Sequence, residues 1–64
     1  MRLDATKIRI ALAERVISIK ELSKISKVSY NTICAILAGK SCSIVTAGKI
    51  ADGLGIPVTE LLEQ

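Results

Sequence analysis

The chain has 64 residues, enough for one small domain, and half of them are apolar. No apolar run approaches the ~20 residues of a membrane helix, no signal-peptide pattern opens the chain, and the low hydrophobicity with high charge that marks disorder is missing. A soluble, cytoplasmic domain is expected. The net charge of +3 is unevenly spread: residues 1–49 carry all nine basic side chains against Asp4, Glu14 and Glu21, while residues 50–64 carry none against Asp52, Glu60 and Glu63. One end of the domain therefore suits a polyanion and the other does not.

Tyr30 is the only aromatic residue, and long aliphatic side chains with four glycines and one proline favour an all-α domain over a sandwich or barrel. A core this small rarely supplies more than ~3–5 kcal/mol, so helix caps and partner contacts matter. No repeat or low-complexity stretch divides the chain, which reads as one unit over residues 1–64.

The first helix is predicted to start on Asp4 as N-cap, with Leu3 and Ile8 stapled across its first turn. Ile8 and Leu12 continue its apolar stripe, and it fades near Arg15. Ser18-Ile19-Lys20-Glu21 has the form of a capping box, flanked by Ile17 and Leu22 as a second staple. Leu22 and Ile25 are expected to supply the buried face of this second helix, which ends near Ser26. Ser29 then caps a third helix, with Val28 and Ile33 as a third staple. Its core positions are Ile33, Ile36 and Leu37, and Gly39 is the expected left-handed stop. Ser43 or Thr46 caps a fourth helix with Ala47, Ile50, Ala51 and Leu54 on one stripe, ending at Gly55. After Ile56 and Pro57, the spacing of Val58, Leu61 and Leu62 predicts a fifth, short helix. Two helices joined by a turn of about three residues, here over residues 18–38, form a helix-turn-helix unit.

Little in the sequence points to catalysis or ligand chemistry. Histidine, the commonest general base, is absent, and Cys34 and Cys42 offer neither a CxxC pair nor partner ligands for zinc. Both are expected to be free thiols. Gly39-Lys40-Ser41 looks like the end of a phosphate-binding loop, but that motif needs glycine where Cys34 stands. No enzyme activity, cofactor, metal, membrane or small-molecule ligand is expected.

The third helix carries the positive case. With Ile33, Ile36 and Leu37 turned inward, Tyr30, Asn31, Thr32 and Ala35 are candidates to contact bases. A recognition helix points its N-terminal residues at base edges in the major groove. Asn31 can pair with adenine N6 and N7, Tyr30 offers a hydroxyl and a ring edge, and Ala35 permits close approach. Phosphate contacts are expected at the helix starts, Ser18 and Ser29, where free N–H groups and dipole ends favour anions. Lys40, Ser41 and Ser43 would reach the backbone beyond the third helix, and Lys20 and Lys27 would add charge.

The ordered set Ile19-Lys20-Glu21-Leu22-Ser23, Val28-Ser29-Tyr30-Asn31-Thr32-Ile33, Gly39-Lys40, Lys49-Ile50-Ala51-Asp52-Gly53-Leu54-Gly55-Ile56 and Glu60-Leu61-Leu62 resembles the Cro/repressor-type (Xre-like) helix-turn-helix proteins over about residues 7–62. The resemblance implies a compact five-helix, lambda-repressor-like domain that binds double-stranded operator DNA as a homodimer and controls transcription in bacteria, phages or mobile elements. The dimer surface is expected at the apolar end, around Ile56, Pro57, Val58 and Leu61. Three departures stand out. Lys27 occupies the turn position often held by glycine and must accept an unusual backbone. Leu12 and Leu37 stand where relatives carry an Arg–Glu pair, which predicts an apolar contact without the cost of burying ions. Gly53 replaces a usual alanine inside the fourth helix, at about 1 kcal/mol in propensity. The rival reading is a protein-binding module on the same fold, such as an antitoxin.

Overall fold

Four α-helices follow one another in the computed structural model, which describes residues 1–63. Each begins on an expected cap: α1 (Ala5–Arg15) on Asp4, α2 (Ile19–Ser26) on Ser18, α3 (Tyr30–Leu37) on Ser29 and α4 (Ile44–Leu54) on Ser43. Asp4 Oδ1 accepts from Thr6 N–H at 2.9 Å and Lys7 N–H at 3.2 Å. The three serine hydroxyls accept from the N–H three residues on, at Glu21, Thr32 and Thr46. These bonds satisfy donors that a helix start leaves open. The Ser18–Glu21 box closes on one side only: among the described residues no return bond runs from the exposed Glu21 carboxylate to Ser18 N–H.

Three of the helices end alike. Behind α1, α3 and α4 the next N–H groups reach back in the paired pattern of a Schellman turn, Val16 to Ala13 with Ile17 to Leu12, Gly39 to Ile36 with Lys40 to Ala35, and Gly55 to Asp52 with Ile56 to Ala51. The motif needs a positive φ at its pivot. Gly39 (φ +103°) and Gly55 (φ +72°) supply it, as the sequence leads one to expect, but at the end of α1 the pivot is Val16, at φ +52°. A β-branched residue is strained there by about 1–2 kcal/mol, and Val16 recovers little, being 87% exposed. Val16→Gly is therefore expected to stabilise the domain by about 1 kcal/mol even after the entropy glycine adds to the unfolded chain. A thermal melt followed by circular dichroism should show a midpoint about 4–8 °C higher.

The core is one cluster drawing on all four α-helices, from Leu3 through Ile8, Ala11, Leu12, Leu22 and Val28 to Ile33, Ile36, Leu37, Ala47, Ile50, Ala51, Leu54 and Leu61. Leu12 and Leu37 are both buried members of it, so apolar side chains fill these two positions of α1 and α3, as expected. Helix α2 packs chiefly on α4 and α3, and α1 packs on α3. Two expectations fail here. Ile25 is exposed, at 53%, and Ser26 takes the buried place beside Leu22. Ile19, Leu22 and Ser26 share a helical face from which Ile25 is turned by about a quarter circle. The fifth helix is a single 3-10 turn, Val58–Glu60, after which Leu61 drops into the core and Leu62 pairs with Leu3 in an isolated β-bridge. Backbone pairing with residues 1–4 takes the donors and acceptors that a continued helix would need: Asp4 N–H donates to Leu61 O at 2.7 Å and Glu63 N–H to Arg2 O at 3.2 Å.

Gly53 has a packing role. A Cβ built there would lie 3.1 Å from Ser26 Cβ and 3.3 Å from Ser26 Cα and N. The propensity lost in α4 is exchanged for close approach to the end of α2, next to the turn that carries α3. Among the described residues no helix is long and apolar enough to cross a membrane.

Candidate nucleic-acid interface

The turn between α2 and α3 is held by its own serines. Lys27 lies in the left-handed region (φ +61°, ψ +28°), as its position at the turn demands. The following residue has both backbone groups satisfied by side chains of α2: Ser23 Oγ donates to Val28 O at 2.8 Å, and Val28 N–H donates to Ser26 Oγ at 3.3 Å. Ser26 Oγ in turn donates to Leu22 O at 2.6 Å. With Val28 buried as well, the entry angle of α3 is set by packing and hydrogen bonds together. Sequence reading missed Ser23 and Ser26 because serines inside a short helix look like surface residues until the turn is folded over them.

Helix α3 then shows a divided surface. Ile33, Ile36 and Leu37 are buried. Directly opposite, at i, i+4 and i+7, stand Asn31, Ala35 and Ala38, with Asn31 and Ala38 exposed and Ala35 half-buried. The outward stripe is thus one amide at the helix start followed by two side chains too short to obstruct a close surface. Tyr30 flanks it, 44% exposed. Cys34, one turn on, raises the Tyr30 phenol above its ordinary pKa, first through a side-chain hydrogen-bond interaction and then through charge. The phenol stays protonated through neutral and mildly alkaline pH and keeps its donor. Thr32 is exposed, but its hydroxyl is engaged with Ser29 Oγ at 2.7 Å, which leaves mainly its methyl group outward. Both cysteines are free and half-buried.

The residues singled out for phosphate surround this helix in sequence and are all exposed: Ser18 and Lys20 at the start of α2, Lys27 and Ser29 in the turn, Lys40, Ser41 and Ser43 after α3. Among the described residues Lys20, Lys27 and Lys40 take part in no ion pair; the ion pairs present are Arg2–Glu63 and Arg15–Glu14. Ser18, Ser29 and Ser43 already accept from backbone N–H groups as caps. Ser43 Oγ also donates to Thr46 Oγ1 at 3.0 Å, so of these serines Ser41 is the one with no cap to hold.

The proposed dimer residues divide. Pro57 is exposed and Ile56 and Val58 are half-buried, but Leu61 is completely buried in the chain's own core and is withdrawn from any surface. Its place at i+3 of an i, i+3, i+4 pattern concealed this, because the segment is not an α-helix. A groove of about 420 Å³ runs beside this end, between α1 and the 3-10 turn, with Ile10, Ala11 and Ile56 along it and Lys7, Glu14 and Glu60 at its edges. Arg15, also missed from sequence, ties α1 to the end of α4, its Nε donating to Leu54 O at 2.7 Å and its Nη1 to Ala11 O at 3.0 Å. Among the described residues no group of three or more His, Cys, Asp or Glu side chains is placed to hold a metal ion.

Comparison with known proteins places this arrangement. A family model for the Cro/C1-type HTH DNA-binding domain matches residues 7–64. No curated protein matches the sequence. Two solved structures of PhpD, one with cadmium complexed with hydroethylphosphonate and one native with cadmium atoms, each superpose on the whole of this chain with a TM-score of 0.85 at 16% identity. The chain spans only 14% of the PhpD chain's length, and at that identity the likeness is one of fold.

Proposed function

Because this chain belongs to the Cro/C1-type HTH DNA-binding domain family, we propose that it is a sequence-specific transcriptional regulator, a repressor that binds a pseudo-palindromic operator as a homodimer in the cytoplasm. The observation that carries the reading is the outward stripe of α3, one amide on Asn31 followed by Ala35 and Ala38, with exposed Lys20, Lys27 and Lys40 around it, none of them in an ion pair among the described residues. Asn31, Tyr30, Thr32 and Ala35 read base edges in the major groove. Ser18, Lys20, Lys27, Ser29, Lys40, Ser41 and Ser43 position the domain on phosphates, which fix register without carrying sequence information. Ile56, Pro57 and Val58 form the contact between two copies, on the end of the chain whose charge is negative.

Selection of bound sequences from a random duplex library tests this. The expected product is a dyad-symmetric site whose half-sites lie about 10–10.5 bp apart. A dimer making about 8 phosphate contacts should bind it with a log–log salt slope near −7. Recovery of no preferred sequence would defeat the reading. It would leave the rival, a protein-binding module such as an antitoxin, which draws support from the groove beside α1 and from Ile10, 53% exposed within it.

A further inference from the structure

The N-terminal residues are laced into the domain beside the proposed interface. Cys42 N–H donates to Met1 O at 2.7 Å, and the Met1 ammonium donates to Cys42 O at 3.2 Å. Leu3 is buried and bridges to Leu62, and Asp4 N–H bonds Leu61 O. This strap runs from the loop after α3 to the last residues of the fold, and it carries Arg2 against the turn that ends α3. Arg2 Nη2 lies 3.7 Å from the position a Cβ would take on Gly39. Lys40, exposed, follows immediately, so two cations flank the one side-chain-free residue at the end of the helix.

Arg2 has one ionic partner among the described residues, Glu63, with Nε to Oε1 at 3.3 Å and side chains 57% and 50% exposed. An exposed pair of this kind is held weakly and contributes little to stability. The guanidinium fork matches a phosphate at least as well as a carboxylate. Resting on the DNA-binding reading above, we infer that Arg2 is a phosphate contact beyond the C-terminal end of α3, kept in place by Glu63 and exchanged from Glu63 to the DNA backbone on binding. Because Leu3 and the Cys42 pairing anchor the strap on both sides of Arg2, only the side chain needs to move.

The test is a salt titration of affinity for one duplex with the wild-type chain, Arg2→Ala, Glu63→Gln and the double variant, each checked for its fold by thermal melting. Arg2→Ala is expected to weaken binding by about 3- to 10-fold and to reduce the salt slope by about 0.9 per bound chain. Glu63→Gln removes the competing carboxylate and should tighten binding by about twofold, a gain that shrinks when Arg2 is absent. A wild-type chain with no measurable affinity for any duplex would defeat the DNA-binding reading and this contact with it. Wild-type binding with Arg2→Ala at full affinity and unchanged slope would defeat the contact alone. So would weaker binding by Glu63→Gln, which would make the pair a brace of the strap.

Discussion

Asn31→Ala is expected to reduce affinity for the selected operator by about 1–3 kcal/mol per half-site, roughly five- to 150-fold, and to relax the preference at one base pair. Asn31 stands at the centre of the exposed face of α3, opposite Ile33 and Ile36, and among the described residues its side chain makes no hydrogen bond. Alanine is also the better helix former, so the melting temperature should hold or rise slightly. That separates recognition from stability in one variant. Lys40→Ala provides the contrast, since a lost phosphate contact weakens all sequences alike and shows in the salt slope. Fluorescence anisotropy with the operator and with single-base variants distinguishes the two patterns. If Asn31→Ala bound every duplex as the wild type does, α3 would not be the reading element.

Leu61→Ala should have the largest effect on the fold itself. Leu61 is completely buried in the core cluster, and its carbonyl accepts from Asp4 N–H at 2.7 Å. Truncating a buried leucine costs about 2–5 kcal/mol. A core of this size rarely supplies more than ~3–5 kcal/mol in total. At about 4–8 °C per kcal/mol the melting midpoint should fall by about 8–40 °C, and the least favourable case is a chain unfolded at room temperature. Far-UV circular dichroism reads the outcome directly. A folded variant with unchanged melting and weakened self-association would instead place Leu61 on a surface between copies, against the burial described here.

What could be read from the sequence was local. Asp4, Ser18, Ser29 and Ser43 are short polar side chains ahead of apolar stripes, and each caps the helix it announces. Gly39 and Gly55 mark helix ends because only glycine takes a positive φ without strain. Val16 turns in the same way with no such mark, forced by the return of Ile17 to the edge of the core. The non-local features stayed hidden. Val58, Leu61 and Leu62 have helical spacing, yet pairing with residues 1–4 decides their conformation. Gly53 acquires its reason only when Ser26 is placed against it, and Ile25 is turned outward only once α4 has fixed which face of α2 is covered.

The candidate interface follows the same division. The places of Tyr30, Asn31 and Ala35 are legible because all three stand on one short helix: Asn31 and Ala35 lie opposite its core residues, and Tyr30 lies beside them nearer Leu37. Ser23 and Ser26 act through backbone groups a few residues away, Arg15 reaches the end of α4, and Arg2 reaches Gly39 from the start of the chain. No spacing rule brings such pairs together.

If α3 and the segments around it meet DNA while the opposite end stays clear, amide chemical-shift mapping during titration with the selected duplex will show it residue by residue. The shifts are expected to concentrate at Ser18–Lys20, Lys27–Ala35 and Gly39–Ser43, with Arg2 among them and Ile10 and Glu60 unmoved. Shifts gathered instead along the groove between α1 and the 3-10 turn, with Asn31 and Lys40 silent, would contradict it.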